Sequence, residues 1–535
     1  MPRSNFLAVI AAATLAHGVS FAAALPIAPL TFDTTYTAPA GATIKISEGG
    51  DLQAALNNAQ LGDTIVLQAG ATFTGPLTLP NKTSGSGWIY VVSSDLASLP
   101  APGHRVGPSD AAHMAKIASL AYNNAITSTK GSHHFRFAGI EFTPVSGAYV
   151  YQVIAIGNAD TSPATLAHHI VFDRCYVHAA ANENARRGIE MDGAYVAVID
   201  SYISGFKDSN DAQGLWAYNT TGPLKIVDNY IEAAAENVLF GGADAKAASL
   251  VPADIEIRNN TLFKPLSLLS EIPAITVKNL LEFKAAKRVL VSGNTLQNNP
   301  SAAQTGFALL ITPRNQDGGA PWSTTTDIAI TGNTFINVGS GINIAGTDSY
   351  HPTIPKTVRV LIRNNILGVT GFGGADGRAF QVLEGGSDYT IDHNTIVNTA
   401  APPRSPNSDL MMADTAATKV SNFTFTNNLS SQTQYGFFGA GAGNGTAALK
   451  ADFTNWIFAK NVIVNGTAAK YPAGNFFPTS QATVFANSAA GDYTLAASSP
   501  YKAAGTDGAD IGASLSGAGL PALSEPTPPP NFSVK

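Results

Sequence analysis

A short phrase recurs down this chain: an aliphatic pair, a polar residue, Asn, then Thr or another residue and an aliphatic. It reads IVDNYI around Asn229, IRNNTL around Asn260, LVSGNTL around Asn294, AITGNTF around Asn333, LIRNNIL around Asn365, TIDHNTI around Asn394, FTNNL around Asn428 and AKNVIV around Asn461. Successive anchors lie 31, 34, 39, 32, 29, 34 and 33 residues apart, and two degenerate copies precede them, FDRCYV at Cys175 and VIDSYI at Ser201. Such self-similarity requires a solenoid, in which each unit buries its apolar face against the next. The units carry alternating runs of Val, Ile, Phe and Thr between Gly, Asn, Asp and Ser, so they are strands and turns, not helix pairs. An Asn repeated at one turn can stack into a ladder that satisfies its own amide and the bent backbone.

This pattern resembles the right-handed parallel β-helix of the pectate-lyase-like superfamily, an all-β solenoid. Its regular coils are expected from about residue 130 to 465, within a single domain spanning 25–515. Asp51 is expected to cap a helix from Leu52 to about Asn58, shielding the open end of the stack before a first strand Thr64–Leu67. The stretch from Tyr493 to Ala513 resembles the closing segment of bacterial β-helix proteins, with Asp507 and Asp510 shaping the final turn. The Pro-rich tail 516–535 is expected to be disordered. Residues 1–24 read as a secretory signal: an apolar run from Phe6 follows Arg3 and ends in small residues, too short and wrongly flanked for a membrane span. A secreted monomer is therefore expected, in the periplasm or outside the cell. The single cysteine, Cys175, excludes an intramolecular disulfide framework and is expected at a buried turn in place of Asn.

Charged residues make up 13% of the chain and the net charge is −6, with no basic stripe, which argues against nucleic-acid binding. Function is therefore sought where the scarce charge collects. Aligning one strand per coil by its inward apolar positions gives two outward columns. The first holds Glu190, Trp216, Leu239, Glu282, Leu310 and Asn343; the second holds Asp192, Tyr218, Gly241, Lys284, Thr312 and Ala345, with Arg314 one step further on. Such a strip resembles a sugar-binding groove. Trp216 and Tyr218 can stack on pyranose rings, Lys284 and Arg314 can meet a uronate carboxylate, and Gly241 and Gly242 leave room for ligand. Glu190, Asp192, Glu282 and Asn343 complete the expected substrate contacts, with Glu282 orienting Lys284. A plain ion pair between Glu282 and Lys284 fits the spacing equally well. His133, His134, His168 and His169 form adjacent pairs without a zinc signature.

Lysine, arginine and tyrosine on one strip point to β-elimination from a uronate polysaccharide. Such a lyase neutralises the carboxylate, removes the proton beside it and protonates the departing glycosidic oxygen. Tyr218 is the candidate acid. The stretch KNLLEFKAAKRVLVSGNTL, followed by GFALLITPRNQDG and DIAITGNTF, resembles the core of the alginate lyase and chondroitinase B family. That resemblance implies Lys284 as base and Arg314 as its arginine partner. The family also has a Glu-x-Glu calcium pair shortly before its lysine, where this chain has Val277 and Asn279, and a His after its arginine, where this chain has Asn315. These motifs fix no cofactor. Calcium stays open, since Glu282, Glu236 and Asp244 offer a different set of oxygens.

Two alternatives remain. A glycoside hydrolase would use Glu190 and Asp192, whose i to i+2 spacing gives roughly 7 Å and suits inversion. A non-catalytic glycan-binding or surface rod would need no such concentration of ionic and aromatic groups.

Overall fold

The computed structural model describes residues 23–514 apart from 158, 181–182, 400–407, 416 and 432. Three long sheets run the length of the molecule. In chain order each coil contributes one strand to each of them, for example His168–Asp173 to sheet A, Tyr176–His178 to sheet B and Arg187–Met191 to sheet C. Within these sheets the strands pair in parallel one coil apart, save for one short antiparallel pair, Phe438 with Asn444, at the C-terminal end of sheet C; Phe485–Asn487 and Asp492–Leu495 form a separate antiparallel sheet. The chain is a right-handed parallel β-helix.

The Asn phrase marks the turn from sheet A to sheet B. The residue before each anchor, Asp228, Asn259, Gly293, Gly332, Asn364, His393, Asn427 and Lys460, has φ between +51° and +68°. Asp, Asn and Gly recur there because they enter the left-handed region most readily. Each Asn side chain then ties the bend. Asn260 Nδ2 donates to Ile226 O and to Asn294 Oδ1, and that same oxygen accepts Asn260 N, each at 2.9 Å. The ladder continues without a break from Asn229 to Asn461 and on to Asn475. At its start Ser201 and Cys175 take the Asn position, Cys175 N donating to Ser201 Oγ and Ser201 N to Asn229 Oδ1. Cys175 is thus the expected buried turn residue.

Inside, like side chains stack at the coil spacing, as in Phe137 on Phe172 at 5.5 Å and Phe240 on Phe283 at 5.6 Å. The helix Leu52–Asn58 is capped by Asp51, which accepts Ala54 N at 2.8 Å, and its Leu52, Ala55 and Leu56 join this core. The coils begin well before the expected residue 130, because sheet A already starts at Thr43–Ile46. The early coils lack the Asn phrase, and periodicity alone did not reveal them. At the far end Val484, Phe485, Tyr501 and Ile511 pack on Leu429 and Val462 of sheet B. Asp507 and Asp510 accept the backbone N–H of Ala509 and Ala503, turn-shaping roles as expected.

An extended strap lies along the outside of sheet A. Over six successive coils the second or third residue of the sheet A strand is left-handed, and this column reads Asp254, Arg288, Asp327, Arg359, Asp388 and Asn422. Arg288 grips Asp254, and Arg359 grips Asp327, each through two hydrogen bonds of 2.6–2.8 Å. The backbone N–H groups of Ala24, Ile27 and Leu30 donate to Asp388, Asp327 and Asp254 at 3.1, 2.9 and 3.0 Å. Three residues of polyproline II rise about 9.3 Å, and two coils rise about 9.6 Å, so every third N–H meets every second coil. The sequence ALPIAPL places Pro26 and Pro29 at positions that need no donor. Further along, Phe32 O accepts from Lys225 and Thr34 O from Arg136, carrying the strap towards the N-terminal coils.

Candidate functional site on sheet C

Sheet C reproduces the first outward column residue for residue. Glu190 pairs with Trp216, Trp216 with Leu239, Leu239 with Glu282, Glu282 with Leu310, and Leu310 with Asn343. The second column follows where the strands end. Lys284 is the centre of what it gathers: its side chain is 17% exposed, and its Nζ stands 3.8 Å from Glu282 Oε1. Glu282 itself is buried, accepting Asn279 Nδ2 at 3.0 Å and Thr312 Oγ1 at 3.1 Å. Its carboxylate thus stands beneath the surface of the strip, next to Lys284.

Arg314 lies beside Lys284 along the helix axis, its backbone N donating to Lys284 O at 2.8 Å. One guanidinium nitrogen, Nη1, contacts Asp348 Oδ1 at 2.5 Å, and the guanidinium sits 4.8 Å over the ring of exposed Tyr350. Asp348 is fixed in turn by the N–H groups of Asn315 and Tyr350. Burial works against its charge, but these bonds and Arg314 hold its carboxyl below the usual range. The Arg314 side chain is 27% exposed.

On the other side of Lys284, Gly241 has φ +95°, and a Cβ there would meet Lys284 Cβ at 2.8 Å. Glycine is required by both facts, and the bare stretch beside Lys284 follows from them. Gly241 O accepts Trp216 Nε1 at 2.8 Å.

The aromatic pair differs from expectation. Trp216 is only 9% exposed, with the Arg187 guanidinium 4.1 Å over its ring and Tyr218 stacked on it at 4.8 Å. Trp216 is a support, and Tyr218, half-buried, is the ring that reaches the surface. Burial, reinforced by the charges of Asp192 and Glu190, pushes the Tyr218 phenol up and keeps it protonated. Its position two coils from Lys284, about 9.6 Å along the axis, suits a neighbouring sugar better than the oxygen that leaves beside the abstracted proton.

Asp192 does not face outward. It is buried, and its Oδ1 accepts Tyr218 N at 2.7 Å and Asn219 N at 3.0 Å, which fixes the start of the next turn. Burial raises both its carboxyl and that of Glu190, Asp192 well above its ordinary value with Glu190's charge adding to it. Gln152 donates to Glu190. At 2% exposure Asp192 is not offered to a sugar on this face. Asn343 is likewise buried, bonded through Oδ1 to Gln381 at 3.1 Å.

Glu236 and Lys278, not singled out as a pair from the sequence, stand next to this cluster. Glu236 accepts Gln213 Nε2 at 2.7 Å, and burial followed by the charges of Glu282 and Asp211 pushes its carboxyl up to about 7. Its Oε1 and Asn279 Oδ1 are buried without hydrogen-bond partners. These oxygens are of the kind calcium binds. However, Lys278 Nζ lies 3.6 Å from that Oε1 and 2.5 Å from Asp211 Oδ1. An ammonium already supplies the positive charge there. Asp244 holds the following loop instead, through the N–H groups of Asp317 and Gly319. The set does not fit a calcium cage.

A parallel β-helix with one lysine-centred strip on a single sheet is the class these features define. No protein-family model matches the sequence, and no curated protein does. Among solved structures the chain is similar to the pectate lyase Pel9A, at 13% identity and a TM-score of 0.34, covering 88% of this chain and 96% of that one. It is similar to the PL6 family alginate lyase AlyGC, at 14% identity and a TM-score of 0.42, over 81% of this chain and 53% of that one. It is also similar to the catalytic unit of a GH87 alpha-1,3-glucanase from Streptomyces thermodiastaticus, at 12% identity and a TM-score of 0.44, over 84% and 69%. These likenesses bear on the fold alone. No described helix is long and apolar enough to cross a membrane. The expected leader falls almost wholly outside the described residues, and the expected tail entirely so.

Proposed function

We propose that the protein is a secreted polysaccharide lyase that cleaves a uronate-containing glycan by β-elimination on sheet C. The observation that carries this reading is the triplet of Lys284, Glu282 and Arg314. A half-buried lysine with one carboxylate neighbour at 3.8 Å stands beside a part-exposed arginine. Arg314 neutralises the uronate carboxylate and so stabilises charge that develops when the adjacent C–H bond breaks. Lys284 is the group placed to take that proton. The electron pair forms the new carbon–carbon double bond as the glycosidic C–O bond breaks, and the proton passes from Lys284 to the departing oxygen. Tyr218, backed by Trp216, offers a ring face to a neighbouring sugar.

The test is ultraviolet absorbance of the purified protein with a panel of uronate polysaccharides. Elimination creates a conjugated double bond, and a rise on at least one of them is expected. New reducing ends without that rise would replace the reading by hydrolysis, and neither signal would leave a binding rod.

A further inference from the structure

Two His-His dipeptides lie 35 residues apart, which is one coil, so His168 pairs with His133 in register on sheet A. In a regular strand the two members of each dipeptide would point to opposite faces. Here His134 and His169 have φ of +58° and +55°, and that left-handed kink turns the second ring to the side of the first. Nδ1 of His133 meets Nδ1 of His134 at 2.7 Å, and Nδ1 of His168 meets Nδ1 of His169 at 2.8 Å. The coil spacing stacks the pairs: His133 on His168 at 4.9 Å, and His134 on His169 at 4.6 Å, nearly parallel. One ring nitrogen from each of His134, His168 and His169 lies within 4.8 Å of the others.

The protonation pattern follows from the contacts. Lys82 O can only accept, so His133 Nε2 carries a proton and its Nδ1 accepts from His134 Nδ1. His134 Nε2 then bears a lone pair. In the second pair, one proton lies between the two Nδ1 atoms. If that proton moves to Nε2 of the same ring, both Nδ1 lone pairs face one point from 2.8 Å apart. With metal–nitrogen bonds of about 2.0–2.1 Å this bite gives an angle of about 90°, which is tetragonal rather than tetrahedral. Trp88 edge-on to His134, Phe32 of the strap edge-on to His169 and Tyr195 stacked on His169 at 4.3 Å wall the cluster.

We infer that this cluster is a binding site for a tetragonal divalent transition-metal ion, Cu2+ or Ni2+, chelated by His168 and His169 with His134 as third ligand. It lies on sheet A and is independent of the chemistry on sheet C. Water fills the remaining positions, and His134 closes on the ion by tilting its half-buried ring. The ion would tie two coils and the strap together.

Tag-free full-length protein is titrated with copper(II), nickel(II) and zinc(II) chloride by calorimetry. One ion per chain is expected, with affinity at least tenfold weaker in His169→Ala and unchanged in His104→Ala, an exposed histidine elsewhere. Electron paramagnetic resonance of the copper-loaded wild-type protein is the second measurement and needs no variant. It is expected to show hyperfine splitting from imidazole nitrogens in a tetragonal field. Absence of binding, binding indifferent to His169, or an oxygen-only copper spectrum overturns the site. Zinc bound more tightly than copper overturns the tetragonal geometry.

Discussion

The residue that shapes this molecule most is the repeated Asn. Asn294 Oδ1 accepts both N and Nδ2 of Asn260, and its own Nδ2 donates to Ile257 O and Asn333 Oδ1. Asn294→Ala strands these groups where water does not reach, at about 1–3 kcal/mol for each orphan left. A net loss of about 3 kcal/mol in unfolding free energy is expected from urea denaturation, and a loss below about 0.5 kcal/mol would contradict the ladder's role. Glu236 makes a pH prediction. Its carboxyl is raised from 4.5 to about 7 by burial first, so between those values the folded chain binds more protons than the unfolded one. Stability from this group is therefore complete below pH 4.5 and falls as pH rises to about 7. Glu236→Gln should flatten the fall in melting temperature over that range, and an unchanged slope would show that Glu236 is not its source. Glu232, also raised to about 7, adds a slope of the same sign that the variant retains. The Asn anchors were legible because one residue type recurs at one place. Lys284 and Glu282 were legible as a pair because two-residue spacing puts them on one face. The burial of Trp216 was not, since Arg187 covers it from the preceding coil, and no pattern within its own strand reports that.

At the scale of elements, the strap joins distant coils through single hydrogen bonds. Asp327 is its central post, holding Ile27 N at 2.9 Å and Arg359 through two contacts. Asp327→Ala should leave the sheets intact and release residues 24–30. Limited proteolysis followed by mass spectrometry is expected to find new cuts between Leu25 and Leu30, and equal resistance of variant and wild type would refute the strap. The helix Leu52–Asn58 and the strand Thr64–Leu67 could be read from a capping Asp and alternation. The strap could not, because its three acidic partners lie 224, 300 and 364 residues away. The burial of Asp192 escaped for a similar reason. Spacing along a strand sets where Cβ atoms lie, while the Tyr218 and Asn219 amides of the next coil set where the Asp192 carboxylate turns.

At the scale of the whole molecule, a rigid stack presents Tyr218, Lys284 and Arg314 along one sheet at fixed coil intervals. The ammonium of Lys278 stands at the acidic cluster beside them. Activity is accordingly expected to survive treatment with a calcium chelator, and a loss restored by added calcium would contradict the charge assignment. The most direct measurement compares wild type with Lys284→Ala in the ultraviolet elimination assay, on the uronate polysaccharide giving the fastest rise. The account predicts a fall of at least about a hundredfold in rate, the low end for losing a positioned acid–base group, with the melting temperature kept. A folded Lys284→Ala variant that forms the double bond at the wild-type rate would contradict it.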